Sequence, residues 1–227
     1  MSCLTEKYCS LMLALCASAC LSGADAYSTT FARGKWDPSM WIPVKSPRFS
    51  YVGEMVQFDD HIMNRTPELS DEEIFRKHAA DVYSCLMLKR KFTGSSVISS
   101  TMSFDHRMAP LIVIAPQIGK SADGRAEHRE HYEIVLFDDG INIWRHLWKD
   151  GRPSWYRAAF LMTEFEPGKR YRLEVRLSCT KNGRSLTVSC GGKTFGYRDD
   201  NLPDSYYVGV TGCEGRNRFY DFNVTEK

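Results

Sequence analysis

No stretch of this chain is long and apolar enough to cross a bilayer. The longest apolar run, Leu11 to Leu21, falls well short of the roughly 20 residues a spanning helix needs. Basic blocks are also missing: Lys and Arg are scattered, and the formal charge is only +2, so nucleic acid is a poor partner. Cys and His do not occur at zinc-ligand spacing, which argues against a structural zinc. There is no internal repeat and no low-complexity linker. Helix signals are scarce as well. The one convincing instance is Ser70-Asp71-Glu72-Glu73 ahead of IFRKHAA, a capping box that predicts a short helix near residues 71–80.

The amino terminus carries an apolar core followed by Ala24-Asp25-Ala26, a small-x-small pattern that reads as a secretory signal peptide over residues 1–26. Export predicts a secreted or periplasmic protein. Cys16 and Cys20 keep open a lipid-anchored form at the cell surface, although Ala17-Ser18-Ala19 lacks the Leu usual before a lipobox cysteine. Residues 27–227 then make a single domain of sandwich or barrel size. Four of the eight cysteines, Cys85, Cys179, Cys190 and Cys213, lie in it. Cys179 and Cys190 flank a hairpin that turns at Asn182-Gly183. That register sets them four pairing positions apart on one face, beyond disulfide reach, so they read as small buried hydrophobes.

From Val82 onward the chain alternates short apolar strands with Thr-Gly, Asp-Gly, Pro-Gly and Asn-Gly turns, the pattern of an all-β antiparallel sandwich. Before that, Tyr27 to Pro47 reads as irregular chain wrapping a sheet edge. The polar run Gly119 to Arg129 reads as a flexible loop, a natural lid or specificity element.

The segment HYEIVLFDDGINIWRHLW carries the chemistry. Asp139-Gly140 predicts a two-residue turn that pairs Asp138 with Ile141, Val135 with Trp144 and Glu133 with His146. Strand side chains alternate faces. Tyr132, Ile134, Leu136, Ile141, Ile143 and Leu147 then form a core face, with Arg145 out of pattern. The other face carries His131, Glu133, Val135, Phe137, Asn142, Trp144, His146 and Trp148. Either it is a ligand site or it is a second buried face with its polar groups satisfied, because each buried His and Glu needs a partner. As a site, His131 or His146 would move a proton, and Glu133 would orient the imidazole. Trp144 and Trp148 would stack on sugar rings. Asn142, Arg157, His128 and Arg129 would bind hydroxyls or a uronate carboxylate.

The runs GKRYRLEVRLS, NGRSLTVSCGGKTFGY and YYVGVTGCEGRNRFYDFNV resemble the concanavalin A-like lectin/glucanase superfamily, a jelly-roll sandwich. The likeness covers roughly Val82 to Val224. The Tyr132-Glu133 strand is also similar to that of the 3-keto-disaccharide hydrolase-like branch. The resemblance implies a carbohydrate-active protein acting on a polysaccharide or oligosaccharide. It departs from laminarinase-type glycosidases at one point: where they carry E-x-D-x-E, this strand has Glu133, Val135 and Phe137. Only one carboxylate remains of the two that retaining hydrolysis needs, about 5 Å apart. Alginate-lyase-type signatures are missing too, although Gln117-Ile118-Gly119 is faintly similar to one. A lyase or non-standard glycosidase using His131, Glu133 and His146 therefore stands beside a non-catalytic lectin-like module and a structural surface protein. No cofactor is indicated. Arg198-Asp199-Asp200-Asn201 could suit a structural Ca²⁺ but reads as a turn.

Overall fold

The computed structural model describes residues 26–49, 51–66, 72, 82–105 and 109–227. The expected leader lies outside these residues except for Ala26. So does the expected helix near residues 71–80, of which Glu72 alone is described, in helical conformation.

In chain order the strands open with β1 (Ala26–Thr30), β2 (Trp41–Val44), β3 (Tyr51–Val52), β4 (Met55–Gln57), β5 (Ile62–Asn64), β6 (Val82–Leu88) and β7 (Phe92–Thr93). Next come β8 (Ser96–Phe104), β9 (Pro110–Ala115), β10 (Ile118–Lys120), β11 (Ala126–His128), β12 (His131–Phe137), β13 (Gly140–Lys149) and β14 (Arg152–Met162). The chain ends with β15 (Tyr171–Thr180), β16 (Gly183–Cys190), β17 (Lys193–Arg198), β18 (Ser205–Cys213), β19 (Asn217–Phe219) and β20 (Asp221–Glu226). Among the described residues no helix is long and apolar enough to cross a membrane.

The first sheet runs β14-β13-β12-β9-β18-β6-β2, and the second runs β17-β16-β15-β8-β19-β5-β4 with β20 beside β8. Their facing sides make the main core. Ile112, Ile114, Ile134, Leu136, Ile141, Ile143, Val208 and Val210 from the first sheet meet Ile98, Met102, Leu173, Val175, Leu177, Leu186, Val188 and Val224 from the second. Burial of both faces by alternating apolar residues is what holds two sheets together.

Arg145, out of pattern in the sequence, is explained here. Its guanidinium donates to Asp199 Oδ2 at 3.0 Å, and the Tyr132 and Tyr197 hydroxyls donate to the same oxygen at 2.8 Å. Asp199 directly follows β17, at the edge of the second sheet, so this network ties the two sheets together. The run expected as a turn or a weak Ca²⁺ site is thus the anchor of an ion pair.

Both sequence-derived hairpin registers are off by two residues. The observed pairs are His131 with His146, Glu133 with Trp144 and Val135 with Asn142, so the turn is Asp138-Asp139. Likewise Thr180 pairs with Gly183 and Cys179 with Arg184, around Lys181-Asn182. In each case the glycine follows the turn instead of forming its second corner. Gly140 has φ +148, and a Cβ there would lie 2.0 Å from the Leu161 carbonyl oxygen on β14. A shift of two keeps every side chain on its expected face. Cys85, Cys179, Cys190 and Cys213 are all free thiols.

The amino-terminal region is more regular than the sequence suggests. β1 adds to β20, and β2 adds to β6 at the edge of the first sheet. The polar run over 119–129 is a short β10–β11 hairpin rather than a loose loop. It is pinned to the segment after β2: His128 N–H donates to Lys45 O at 2.9 Å, and Lys45 N–H donates to Ala126 O at 3.0 Å.

Candidate functional site

The outer face of the first sheet is itself covered. A second apolar cluster joins Tyr83, Cys85 and Met87 of β6, Leu111, Val113 and Ala115 of β9, Val135 of β12 and Val44 of β2. Phe49, Ile118, Ala126 and Trp144 pack against it. PLIVIA in β9 is a continuous apolar run because both its faces are buried.

Within this layer lie the polar groups singled out from the sequence. His128, His131, Glu133, Asn142 and His146 are all buried. Glu133 is the hub. Its Oε1 lies 3.2 Å from His131 Nε2 and accepts from the Tyr83 hydroxyl at 3.0 Å. Its Oε2 lies 3.0 Å from His146 Nε2. The imidazoles of His131 and His146 stack with centroids 4.1 Å apart, and His128 stacks on the far side of His131 at 4.4 Å. The His131 Nδ1 faces the Arg129 carbonyl oxygen at 2.9 Å. A carbonyl only accepts, so this nitrogen carries the proton.

Electrostatics follow from the packing. Burial lowers the pKa of His128 well below the histidine value, and proximity to His131 adds to it. For His131, burial and then the neighbouring His146 lower the pKa, against the pull of Glu133. Burial alone would raise the Glu133 carboxyl. The His146 charge and the hydrogen bonds from His131 and His146 reverse this and hold it well below the usual carboxylate range. Tyr83, its third partner, is pushed up by burial and by the Glu133 charge, so it remains a donor. The donor atoms of His131, Glu133 and His146 all lie within 4.8 Å of one another.

Beside this hub a cleft of about 140 Å³ opens on the outer face, lined by Glu133, Phe137, Asn142 and Trp144 from the hairpin and by Arg48 and Glu214 from opposite segments. The Oδ1 of Asn142 is buried and has no hydrogen-bond partner among the described residues. Glu214 stands just after β18 with φ +53, an uncommon conformation for a residue with a Cβ. Its carboxylate lies 3.9 Å from the Arg48 guanidinium.

The remaining candidates are placed apart from the cleft. The Arg129 guanidinium sits 4.1 Å over the Trp148 ring and pairs with Glu127, so these two residues hold one another. His128 Nε2 lies 3.3 Å from the Cys85 sulfur, and its side chain is fully enclosed. Arg157 is exposed, 4.8 Å over the ring of Phe160. The structure therefore brings together His128, His131, Glu133, Asn142, Trp144 and His146, sets Arg157 across from Trp144 on the exposed strand, and leaves Arg129 and Trp148 apart.

Four cleft or rim residues escaped the sequence reading. Arg48 and Glu214 line the cleft, beside Phe137 of the expected face. Trp155 and Phe160 on β14 stand 40% and 38% exposed. Trp155 pairs across from His146, and Phe160 pairs across from Asn142. The Arg48 guanidinium lies 4.9 Å over the Trp155 ring, which links the cleft to this exposed row. An extra residue in β14, between the partners of Ile143 and Trp144, sets the row on the outer face. The alternation of WYRAAF gives no sign of that bulge.

No family profile matches the sequence, and no curated protein matches it. Solved structures do match. The carbohydrate-binding module CBM66 of Bacillus subtilis is 11% identical and superposes with a TM-score of 0.56, covering 82% of this chain and 96% of its own. The seed lectin of Lotus tetragonolobus is 11% identical with a TM-score of 0.54, over 88% of this chain and 97% of its own. The kappa-carrageenase of Pseudoalteromonas carrageenovora, in complex with an oligotetrasaccharide of kappa-carrageenan, is 10% identical with a TM-score of 0.53, over 93% and 99%. At such identities the likeness is one of architecture. This chain is folded as a concanavalin A-like jelly roll.

Proposed function

We propose that the protein is exported and binds a polysaccharide or oligosaccharide at the outer-face cleft. The observation that carries this reading is Asn142: a buried amide oxygen without a partner among the described residues, in a cleft walled by Trp144 and Phe137 and flanked by Arg48 and Glu214. An indole face, an unpaired acceptor and a charged pair are the parts that recognise a ring of C–H groups edged with hydroxyls. The cleft is smaller than the roughly 300–1,000 Å³ of drug-sized pockets, so it suits a single sugar unit. Trp155 and Phe160 would extend the contact along a longer chain. Neighbours of the same fold whose names denote lectins, a carbohydrate-binding module and a carrageenase are consistent with this use.

Catalysis is the second reading, as a lyase or non-standard glycosidase with His131, Glu133 and His146 as acid and base. What favours it is that Glu133 reaches the cleft and that Glu214 supplies a second carboxylate there. Binding ranks first because both oxygens of Glu133 are already engaged.

Incubating the protein with a panel of uronate and neutral polysaccharides separates the readings. Retention on a glycan without new ends supports a binding module. Unsaturated or reducing ends that vanish with Glu133→Gln establish the enzyme. No retention and no product removes the carbohydrate reading.

A further inference from the structure

Two groups in the buried hub face one another within hydrogen-bond distance. His131 Nδ1 donates to the Arg129 carbonyl at 2.9 Å, which leaves Nε2 as the ring atom that takes up a second proton or a metal ion. That nitrogen lies 3.2 Å from Glu133 Oε1, which already accepts from the Tyr83 hydroxyl. A ring nitrogen and a carboxylate oxygen this close in a buried site share a positive centre, and a metal ion can stand where the proton would. A second imidazole nitrogen, His146 Nε2, stands 3.0 Å from the other oxygen of the same carboxylate.

We propose that His131, Glu133 and His146 bind one divalent transition-metal ion of the zinc class, through the two Nε2 atoms and the Glu133 carboxylate.

Three features of the hub fit a metal. Two imidazoles and one carboxylate form a donor set that suits zinc, cobalt or nickel, whereas calcium and magnesium take oxygen ligands. The far nitrogen of His131 is held by a backbone carbonyl, the outer contact that fixes the tautomer of a metal-bound histidine. The site is enclosed, with His131, Glu133 and His146 all buried beside the β10–β11 hairpin and the segment after β2. Three protein donors leave a fourth tetrahedral position for water or a ligand oxygen. Glu133 lines the cleft, which brings such a ligand to the same carboxylate.

The geometry also sets what binding must change. Bonds of about 2.0–2.1 Å place tetrahedral donors roughly 3.3 Å apart, whereas the present donor atoms span up to 4.8 Å. The hub draws in on binding. The two rings, now within 15° of parallel, tilt toward a common point.

The inference does not depend on the carbohydrate reading, and its test uses metal alone. The full chain is stripped with a chelator and titrated with Zn²⁺ by calorimetry, while the histidine ring nitrogens are followed by NMR. One equivalent is expected to bind and to move the ring signals of His131 and His146. His146→Ala and His131→Ala are each expected to weaken binding beyond the about 10- to 100-fold that loss of an outer-shell partner costs. His61→Ala, on the exposed Asp60 loop, leaves binding intact. Should the alanine variants not fold, the NMR titration of the unmodified chain decides. Absence of stoichiometric binding, or binding that leaves both ring signals unmoved, overturns the proposal.

Discussion

Glu133 and His146 touch across neighbouring strands although they are not directly opposed. His146 pairs with His131 and Glu133 pairs with Trp144, yet His146 Nε2 lies 3.0 Å from Glu133 Oε2 along the diagonal. Diagonal neighbours on one face are about 7–8 Å apart at their Cα atoms, within reach of long side chains. The contact expected from a direct pairing is thus made by a different geometry. His131 gains the central place in the stack.

Removing the hub carboxylate leaves three buried groups without their partner: Tyr83, His131 and His146. Glu133→Ala is expected to destabilise the metal-free protein by about 3–5 kcal/mol, the usual cost of breaking one side of a buried charged set. Glu133→Gln keeps an acceptor and should cost less. Urea denaturation of both variants checks the order. Equal stability of Glu133→Ala and the parent chain would show that the hub is not held together by this residue.

Acid should loosen the same layer. Burial holds the pKa values of His128 and His131 below the ordinary histidine value of about 6.5 in the folded state, so the unfolded chain binds more protons as the pH falls through that value. Stability then rises with pH and is lost downward from about pH 6.5. The groups facing the pair are Tyr83, Cys85, Glu133 and His146, and the depressed Glu133 carboxyl acts in the same direction at lower pH. Melting of the chelator-treated protein between pH 8 and 5 reads this. A flat profile would mean that the histidines take up protons alike in the folded and unfolded states and would contradict the lowered values.

Asp199 should govern a separate, more acid limb. Burial alone would raise its carboxyl, but the Asn201 backbone and side chain and the hydroxyls of Tyr132 and Tyr197 bring it down from 3.8 to about 2. Its side chain is 8% exposed. The corresponding stability, on the order of 2 kcal/mol, is fully present above about pH 3.8 and is lost as pH falls toward 2. Asp199→Asn is expected to flatten that limb and to lower stability at neutral pH, because Arg145 loses its partner. A variant that melts like the parent at pH 7 would show that the two sheets do not need this tie.

Asn64-Arg65-Thr66 is a glycosylation sequon, yet Asn64 should stay unmodified in the folded protein even in a host that glycosylates Asn-x-Ser/Thr. Asn64 is fully buried, its Oδ1 accepts from Asn217 N–H at 2.7 Å, and its Nδ2 donates to the Gly215 carbonyl. Mass spectrometry of protein made in such a host is expected to find Asn64 free of glycan. Efficient glycosylation there in folded protein would contradict the packing.

The sandwich, its strands and the two faces of the central hairpin were legible because strand periodicity survives a register error of two. The registers themselves were not. Asp-Gly and Asn-Gly look alike whether the glycine forms the corner or follows it, and the close approach of Leu161 that places Gly140 comes from a third strand. Burial of the hub was also beyond the sequence. Its cover is the pairing of His128 and Ala126 with Lys45, some 80 residues apart and in polar segments with no strand signal. Glu214 lies in a bend just after β18, and only the fold brings that bend to the cleft.

Asn142 gives the most direct test of the carbohydrate reading. On the glycan that the panel identifies, the parent chain and Asn142→Ala are compared for affinity and for thermal melting. The account predicts a loss of at least about tenfold in affinity, equivalent to ~1.4 kcal/mol, with melting little changed, since the amide oxygen has no partner to lose among the described residues. Unchanged affinity in a folded Asn142→Ala protein would contradict it and place the ligand elsewhere on the sheet.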